Sequence, residues 1–131
     1  MDGVILCIDY STKKITYAAS YNAPVIIRNN EIIRLEADKM PIGGGVKTEP
    51  FKCYDLDHVR GDMVYLFTDG FADQFGGEYG KKFMKKNLYN LMAESAEFSI
   101  NEQSGIFQKS FDDWRETNEQ VDDVTVVGLK F

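Results

Sequence analysis

A chain of 131 residues is long enough to bury a core as a single domain without disulfide or metal staples. Its 21 acidic against 15 basic side chains leave a net charge of −6, which would repel a phosphate backbone and argues against a nucleic-acid scaffold. The longest apolar runs fall far short of a membrane span and no charged-then-apolar leader opens the chain. A soluble, cytoplasmic segment without membrane contact of its own is therefore expected, with room for an upstream sensor in a longer parent.

The first half reads as strands. Val4 to Asp9 is apolar, Ser11-Thr12-Lys13 supplies a turn, and Lys14-Ile15-Thr16-Tyr17-Ala18 alternates polar with apolar, which is a hairpin pattern. Pro24 to Arg28 and Glu31 to Leu35 flank Asn29-Asn30, and asparagine tolerates the positive φ of a two-residue hairpin turn. Met40-Pro41-Ile42-Gly43-Gly44-Gly45 must be loop, because neither helix nor strand survives a proline followed by three glycines. Phe51 to Leu56 alternates again, Arg60-Gly61-Asp62 turns, and Met63 to Thr68 is an apolar strand that delivers Asp69.

After Gly76-Gly77 the period changes. Phe83, Met84, Leu88, Leu91 and Met92 share one helical face, and the basic cluster Lys81, Lys82, Lys85 and Lys86 reads as a solvated helix face. Ser99-Ile100-Asn101-Glu102 has the form of a capping box. Ile100, Gln103, Phe107, Phe111 and Trp114 then make a second amphipathic stripe, and Val124 to Phe131 closes as a strand. Cys7 and Cys53 lack metal spacing and lie in apolar or alternating segments, which predicts buried or half-buried free thiols of a reducing compartment. About six strands, two helices and a last strand, with the strands in hairpins, predict one α+β domain over residues 1–131. The sheet should be mostly antiparallel with both helices on one face.

Two carboxylates stand hard against apolar strands: Asp69 after Met63 to Thr68, and Asp122 before Val124 to Phe131. The two helices that leave the sheet and return between them can set the end of one strand beside the start of its neighbour. Both carboxylates would then project at one rim. Rigidly held oxygen donors suit a hard cation such as Mg²⁺ or Mn²⁺, and such a cation can activate water for attack on a phosphate ester. Asp-Gly also serves as an ordinary turn pair and Asp-Asp as a solvated strand start, so a purely structural role for these acids stays open. No serine or cysteine nucleophile is suggested, and the single histidine, His58, has no partner in sequence that would give it acid–base work.

Taken together, Gly61-Asp62…Leu66-Phe67-Thr68-Asp69-Gly70-Phe71-Ala72-Asp73 and Asp122-Asp123-Val124-Thr125-Val126-Val127 resemble the metal-dependent protein phosphatases of the PPM (type 2C) family, in its bacterial SpoIIE-like branch. The resemblance implies that Asp69 and Asp122 are metal ligands, with Asp123 the weaker candidate because asparagine is common there in the family. Lys39-Met40-Pro41-Ile42-Gly43 is similar to the family's Pro-hydrophobic-Gly loop. Tyr17 to Pro24 is similar to its Tyr-Ala-Gly…Pro segment, with Ala19, Ser20 and Tyr21 replacing the usual glycine and histidine. Phe71 to Gly77 looks like a SpoIIE-type variant with a Gly-Gly insert.

The chain departs from the family in lacking the Asp-x-x-Gly-His-Gly element whose aspartate bridges two metals. It resembles the C-terminal half of a phosphatase domain. The resemblance implies a parent that hydrolyses phosphoserine and phosphothreonine in phosphoproteins in signal transduction. These residues alone are expected to bind Mn²⁺ or Mg²⁺ weakly or not at all, and to be inactive. A missing half would bare sheet surface, so self-association or exchange of elements between copies is expected. The alternative, from a different class, is a non-catalytic module that keeps the fold and binds a regulatory partner.

Overall fold

Strict alternation in the first residues gives the first hairpin of the computed structural model, which describes residues 1–44 and 49–131. Strand β1 (Gly3–Asp9) pairs antiparallel with β2 (Lys14–Ser20) from Gly3↔Ser20 to Asp9↔Lys14. Strands β3 (Val25–Arg28) and β4 (Glu31–Arg34) form the second hairpin, in register from Val25↔Arg34 to Arg28↔Glu31. Its turn residues Asn29 and Asn30 have φ of 49° and 63°, the two consecutive left-handed positions such a turn requires.

Two-residue β5 (Tyr54–Asp55) adds to β2, giving a sheet of order β1-β2-β5. Strand β6 (Met63–Phe67) is followed by a one-turn helix α1 (Gly70–Asp73), then a two-residue hairpin of β7 (Phe75–Gly76) and β8 (Lys81–Lys82). Helices α2 (Lys85–Ser95) and α3 (Ile100–Arg115) precede β9 (Val126–Lys130). The larger sheet has order β4-β3-β6-β9 and every pairing in it is antiparallel.

Alternation along the central strands builds two cores. Val25, Ile27, Met63, Tyr65 and Phe67 point to the helices and meet Leu88, Met92, Phe107 and Phe111. Ile26 and Val64 point the other way and meet Ile15, Tyr17, Ala19 and Leu56 of the smaller sheet. Strands β3 and β6 are thus covered on both faces, which explains why β6 reads as a continuous apolar run. Each such side chain contributes about 1.5–3 kcal/mol when fully buried. The layer order is small sheet, large sheet, helices: the expected α+β arrangement, with α2 and α3 on one face.

At α3 the capping box forms as read from sequence. Ser99 Oγ accepts from the Glu102 N–H, and the Glu102 carboxylate accepts from the Ser99 N–H at 2.9 Å. Other expectations need correction. Lys81 and Lys82 lie in β8, paired with β7, and α2 begins only at Lys85, because Met84, with φ of 77°, lies outside the helical region; the Phe83 and Met84 N–H groups donate to the Gln74 and Ala72 carbonyls. Of the strand expected over Phe51 to Leu56, only Tyr54–Asp55 pairs. There are three helices among the described residues rather than two, since α1 is a single turn with no periodic signal. Both thiols are exposed: Cys7 sits on the outward face of β1, out of phase with Leu6 and Ile8, and Cys53 lies ahead of β5. Gly43 and Gly44 take the loop expected of them, with φ of 83° and 143°, while Gly45 lies outside the described residues. No helix among the described residues is long and apolar enough to cross a membrane.

Candidate metal centre

Register sets the geometry. Phe67, the last residue of β6, pairs with Val126, the first of β9, so the chain leaving β6 and the chain arriving at β9 meet at one rim of the larger sheet. Val25, the first residue of β3, pairs with Tyr65 and with Arg34, which brings Asn22 and the end of β4 to the same rim. The topology expected from sequence is the one observed.

A latch ties the two acidic segments together. Thr68 Oγ1 donates to the Asp123 carbonyl at 2.8 Å and accepts from the Thr125 N–H at 3.0 Å, while the Thr68 N–H donates to the Thr125 carbonyl at 3.0 Å. Gly70 makes the approach feasible, since a Cβ there would stand 2.3 Å from the Asp123 carbonyl oxygen. Phe71 anchors the turn from below, buried to 2 % exposure, with its ring 5.0 Å from Phe83 and 5.1 Å from Phe111. Asp69 is held between that anchor and the latch, and its carboxylate does not cap α1.

The second segment has its own support, which the sequence did not signal. Gln74 is fully buried, and its side-chain amide donates to the Glu119 carbonyl at 2.9 Å while its Oε1 accepts from the Val121 N–H at 3.4 Å. The three residues leading into Asp122 are therefore pinned to the end of α1. A polar side chain behind an aromatic in a loop-like stretch carries no periodic signature, so only the fold reveals it.

A cleft of about 550 Å³ opens at the rim between the two sheets, lined by Asp2, Asn22, Thr68, Asp69, Thr125 and Val127 among others. Asp69 is half-buried in it, and Asp2, unmarked in the sequence reading, contributes a second carboxylate. Asp122 is exposed and is not among the residues lining the cleft. One of its carboxylate oxygens accepts from the Asp123 N–H at 2.7 Å. Among the described residues neither Asp69 nor Asp122 makes an ion pair. Asp62, the second residue of the same motif, is engaged elsewhere: it is 1 % exposed and paired to Arg28 at 2.7 Å, and the guanidinium holds its carboxyl below the usual carboxylate range. His58 lies away from the rim, its ring 4.7 Å from that of Phe131.

The donors fit Mg²⁺ or Mn²⁺ in kind, being hard carboxylate oxygens on fixed backbone. They are few: among the described residues no group of three His, Cys, Asp or Glu side chains is disposed to hold an ion.

Comparison with known proteins follows the same lines. The family model for stage II sporulation protein E (SpoIIE) matches residues 1–131. Comparison with curated proteins gives no match. Among solved structures, the chain is similar to the SiaA-PP2C domain of Pseudomonas aeruginosa, with TM-score 0.88 and 23 % identity over 99 % of this chain and 51 % of that one. It is also similar to the phosphatase domain of the cell fate determinant SpoIIE from Bacillus subtilis in a manganese-presoaked crystal. There the TM-score is 0.65 at 13 % identity, over 98 % of this chain and 56 % of that one. A structure of the latter's PP2C domain with a fragment of its regulatory domain gives TM-score 0.71 at 17 % identity, over 96 % and 36 %. The chain spans about half the length, or less, of these solved chains, and shares their fold. A match from first residue to last, on a fold that these phosphatase domains also have, means that this chain belongs to the SpoIIE family.

Proposed function

We propose that the chain supplies one half of the active site of a Mn²⁺- or Mg²⁺-dependent protein phosphatase that hydrolyses phosphoserine and phosphothreonine. Asp69 and Asp122 are the metal ligands of this half, with Asp123 the weaker candidate. The observation that carries this reading is the latch: Thr68, Asp123 and Thr125 lock the two aspartate-bearing segments together at one rim, beside an open cleft. When bound, a divalent cation supplies charge neutralisation at the phosphate and lowers the pKa of a coordinated water. The chain's own residues do the positioning. Phe71 and Gly70 fix Asp69, and Gln74 fixes the backbone that carries Asp122. Asn22 and Thr125 offer polar groups to whatever enters the cleft.

The 131 residues alone are too poor in ligands for turnover, since the Asp-x-x-Gly-His-Gly element is not in the sequence. With p-nitrophenyl phosphate and Mn²⁺ they are expected to show no hydrolysis above the blank. Robust hydrolysis abolished by Asp69→Asn would show that one half suffices. Calorimetric titration should give weak Mn²⁺ binding that Asp69→Asn and Asp122→Asn each diminish; binding unchanged in both variants would remove these residues from the centre. The small ligand set also supports the second reading, a phosphatase-like regulatory module, which predicts no Mn²⁺ binding at all.

The parent would act on a phosphoprotein in cytoplasmic signalling. The outward face of the small sheet bares Ile5 at 72 % exposure, which supports self-association of the isolated chain. Light scattering that finds a monomer at high concentration counts against this.

A further inference from the structure

Next to the Asp69 cleft, and sharing Asn22 with it, lies a second open cavity of about 420 Å³. Arg34 from the end of β4, Lys39 from the loop beyond it and Lys85 from the start of α2 all line it, together with Tyr21 and Tyr89. No carboxylate is among its lining residues. In a chain of net charge −6, three cations from two stretches of chain far apart in sequence, Arg34 and Lys39 on one and Lys85 on the other, converge on one cavity. Among the described residues none of the three makes an ion pair. The one hydrogen bond among them is to a neutral group, Lys85 Nζ donating to Asn22 Oδ1 at 2.6 Å.

The backbone is built around this junction. Tyr21 (φ 59°) and Met84 (φ 77°) are non-glycine residues with positive φ, and each stands immediately before one member of the Asn22–Lys85 pair. Such conformations are costly and persist only where their surroundings enforce them. Here the Tyr21 N–H is held by the Asp38 carbonyl at 3.0 Å and the Met84 N–H by the Ala72 carbonyl at 2.8 Å. Asp38 is not among the lining residues, and its carboxylate is engaged elsewhere, accepting from the Lys52 N–H at 2.8 Å. Ala72 belongs to α1, the turn that starts after Asp69, so the cavity and the acidic rim share one rigid connection.

We propose that this cavity is a specificity site for a second anionic side chain of the substrate, near the phosphorylated residue along the same peptide. It rests on the phosphatase reading of the neighbouring cleft. Either a carboxylate or a second phosphate would satisfy the three cations, and the tyrosines supply hydroxyl donors and ring surface beside it.

The test is a binding measurement in chelator, independent of metal and of turnover. Fluorescence anisotropy compares three labelled peptides of one sequence, bearing glutamates, phosphoserine or glutamines, on the whole chain at low ionic strength. The glutamate or phosphoserine peptide, or both, should bind at least about tenfold tighter than the glutamine one, and whichever of the two binds tighter identifies the anion. The triple variant Arg34→Gln/Lys39→Gln/Lys85→Gln should lose that preference. The variant Lys81→Gln/Lys86→Gln/Lys109→Gln, with the same change of net charge, should keep it. Equal binding of all three peptides, or equal loss in the two triple variants, overturns the proposal. If circular dichroism shows the cavity variant unfolded, the three single substitutions carry the same comparison. Asp69→Asn should bind no more weakly than wild type; a loss there with Mn²⁺ absent would assign the anion to the rim and refute a separate site. Failure of Mn²⁺ binding, by contrast, leaves these outcomes untouched.

Discussion

Gly70→Ala puts the latch under direct strain. The added Cβ would lie 2.3 Å from the Asp123 carbonyl oxygen, 2.9 Å from its carbon and 3.3 Å from Val124 Cγ2. The first two are backbone atoms and cannot swing aside. Restoring ordinary contact requires the two segments to part by roughly 1 Å, which stretches the Thr68 Oγ1 to Asp123 bond from 2.8 Å past hydrogen-bond range. A lost bond costs about 1 kcal/mol and the forced shift about 1–3 kcal/mol, so the expected loss is about 3 kcal/mol. For a domain of this size that corresponds to a melting temperature lower by about 10 °C, read by circular dichroism. Mn²⁺ affinity should fall with it, because Asp69 and Asp122 no longer keep their spacing. A variant that melts within about 2 °C of wild type, with unchanged Mn²⁺ binding, would show that the segments are not locked together and would refute the latch.

Gly105→Ala is the counter-case: it lies within α3 with nothing near its hypothetical Cβ, and should raise stability by about 0.5–1 kcal/mol, measured by urea denaturation. Asp62→Asn removes the charge from a side chain 1 % exposed and bonded to Arg28. Since Arg28 is partly solvated, the cost should sit near the lower end for a broken buried pair, about 3 kcal/mol at neutral pH. The sign with pH follows from the depressed Asp62 carboxyl. Its contribution is whole above the ordinary carboxylate pKa of about 3.9 and is lost as pH falls through the lower folded value. Wild type should therefore lose its advantage over Asp62→Asn on acidification; a constant difference down to acid pH would contradict the pairing.

What could be read in the sequence was whatever local physics dictates. Asn29-Asn30 demands a hairpin turn, Ser99 and Glu102 demand a helix start, and the apolar run into Asp69 demands a doubly covered strand. The meeting of Thr68 with Asp123 was legible only as an ordered pair of motifs, since 55 positions separate the partners. The rest depends on choices that alternate residue by residue. Cys7 could face either way along β1, and nothing local says that its neighbours would take the interior. Lys81 and Lys82 fit a helical face equally well until they pair with Gly76 and Phe75 and the backbone turns out of the helical region at Met84. Gln74, Asp2 and the convergence of Arg34, Lys39 and Lys85 are properties of the assembled rim, formed by segments far apart in sequence.

The strand order β4-β3-β6-β9 puts the two aspartates on unequal footing. Asp69 leaves an interior strand whose amides bond on both sides, whereas Asp122 feeds an outermost one. Hydrogen exchange should be slowest along β6 and faster along β9, so local opening would detach the Asp122 arm while Asp69 stays in place. Anything that docks along the free side of β9 would suppress that opening, and a neighbouring segment could thereby set how long the centre stays assembled.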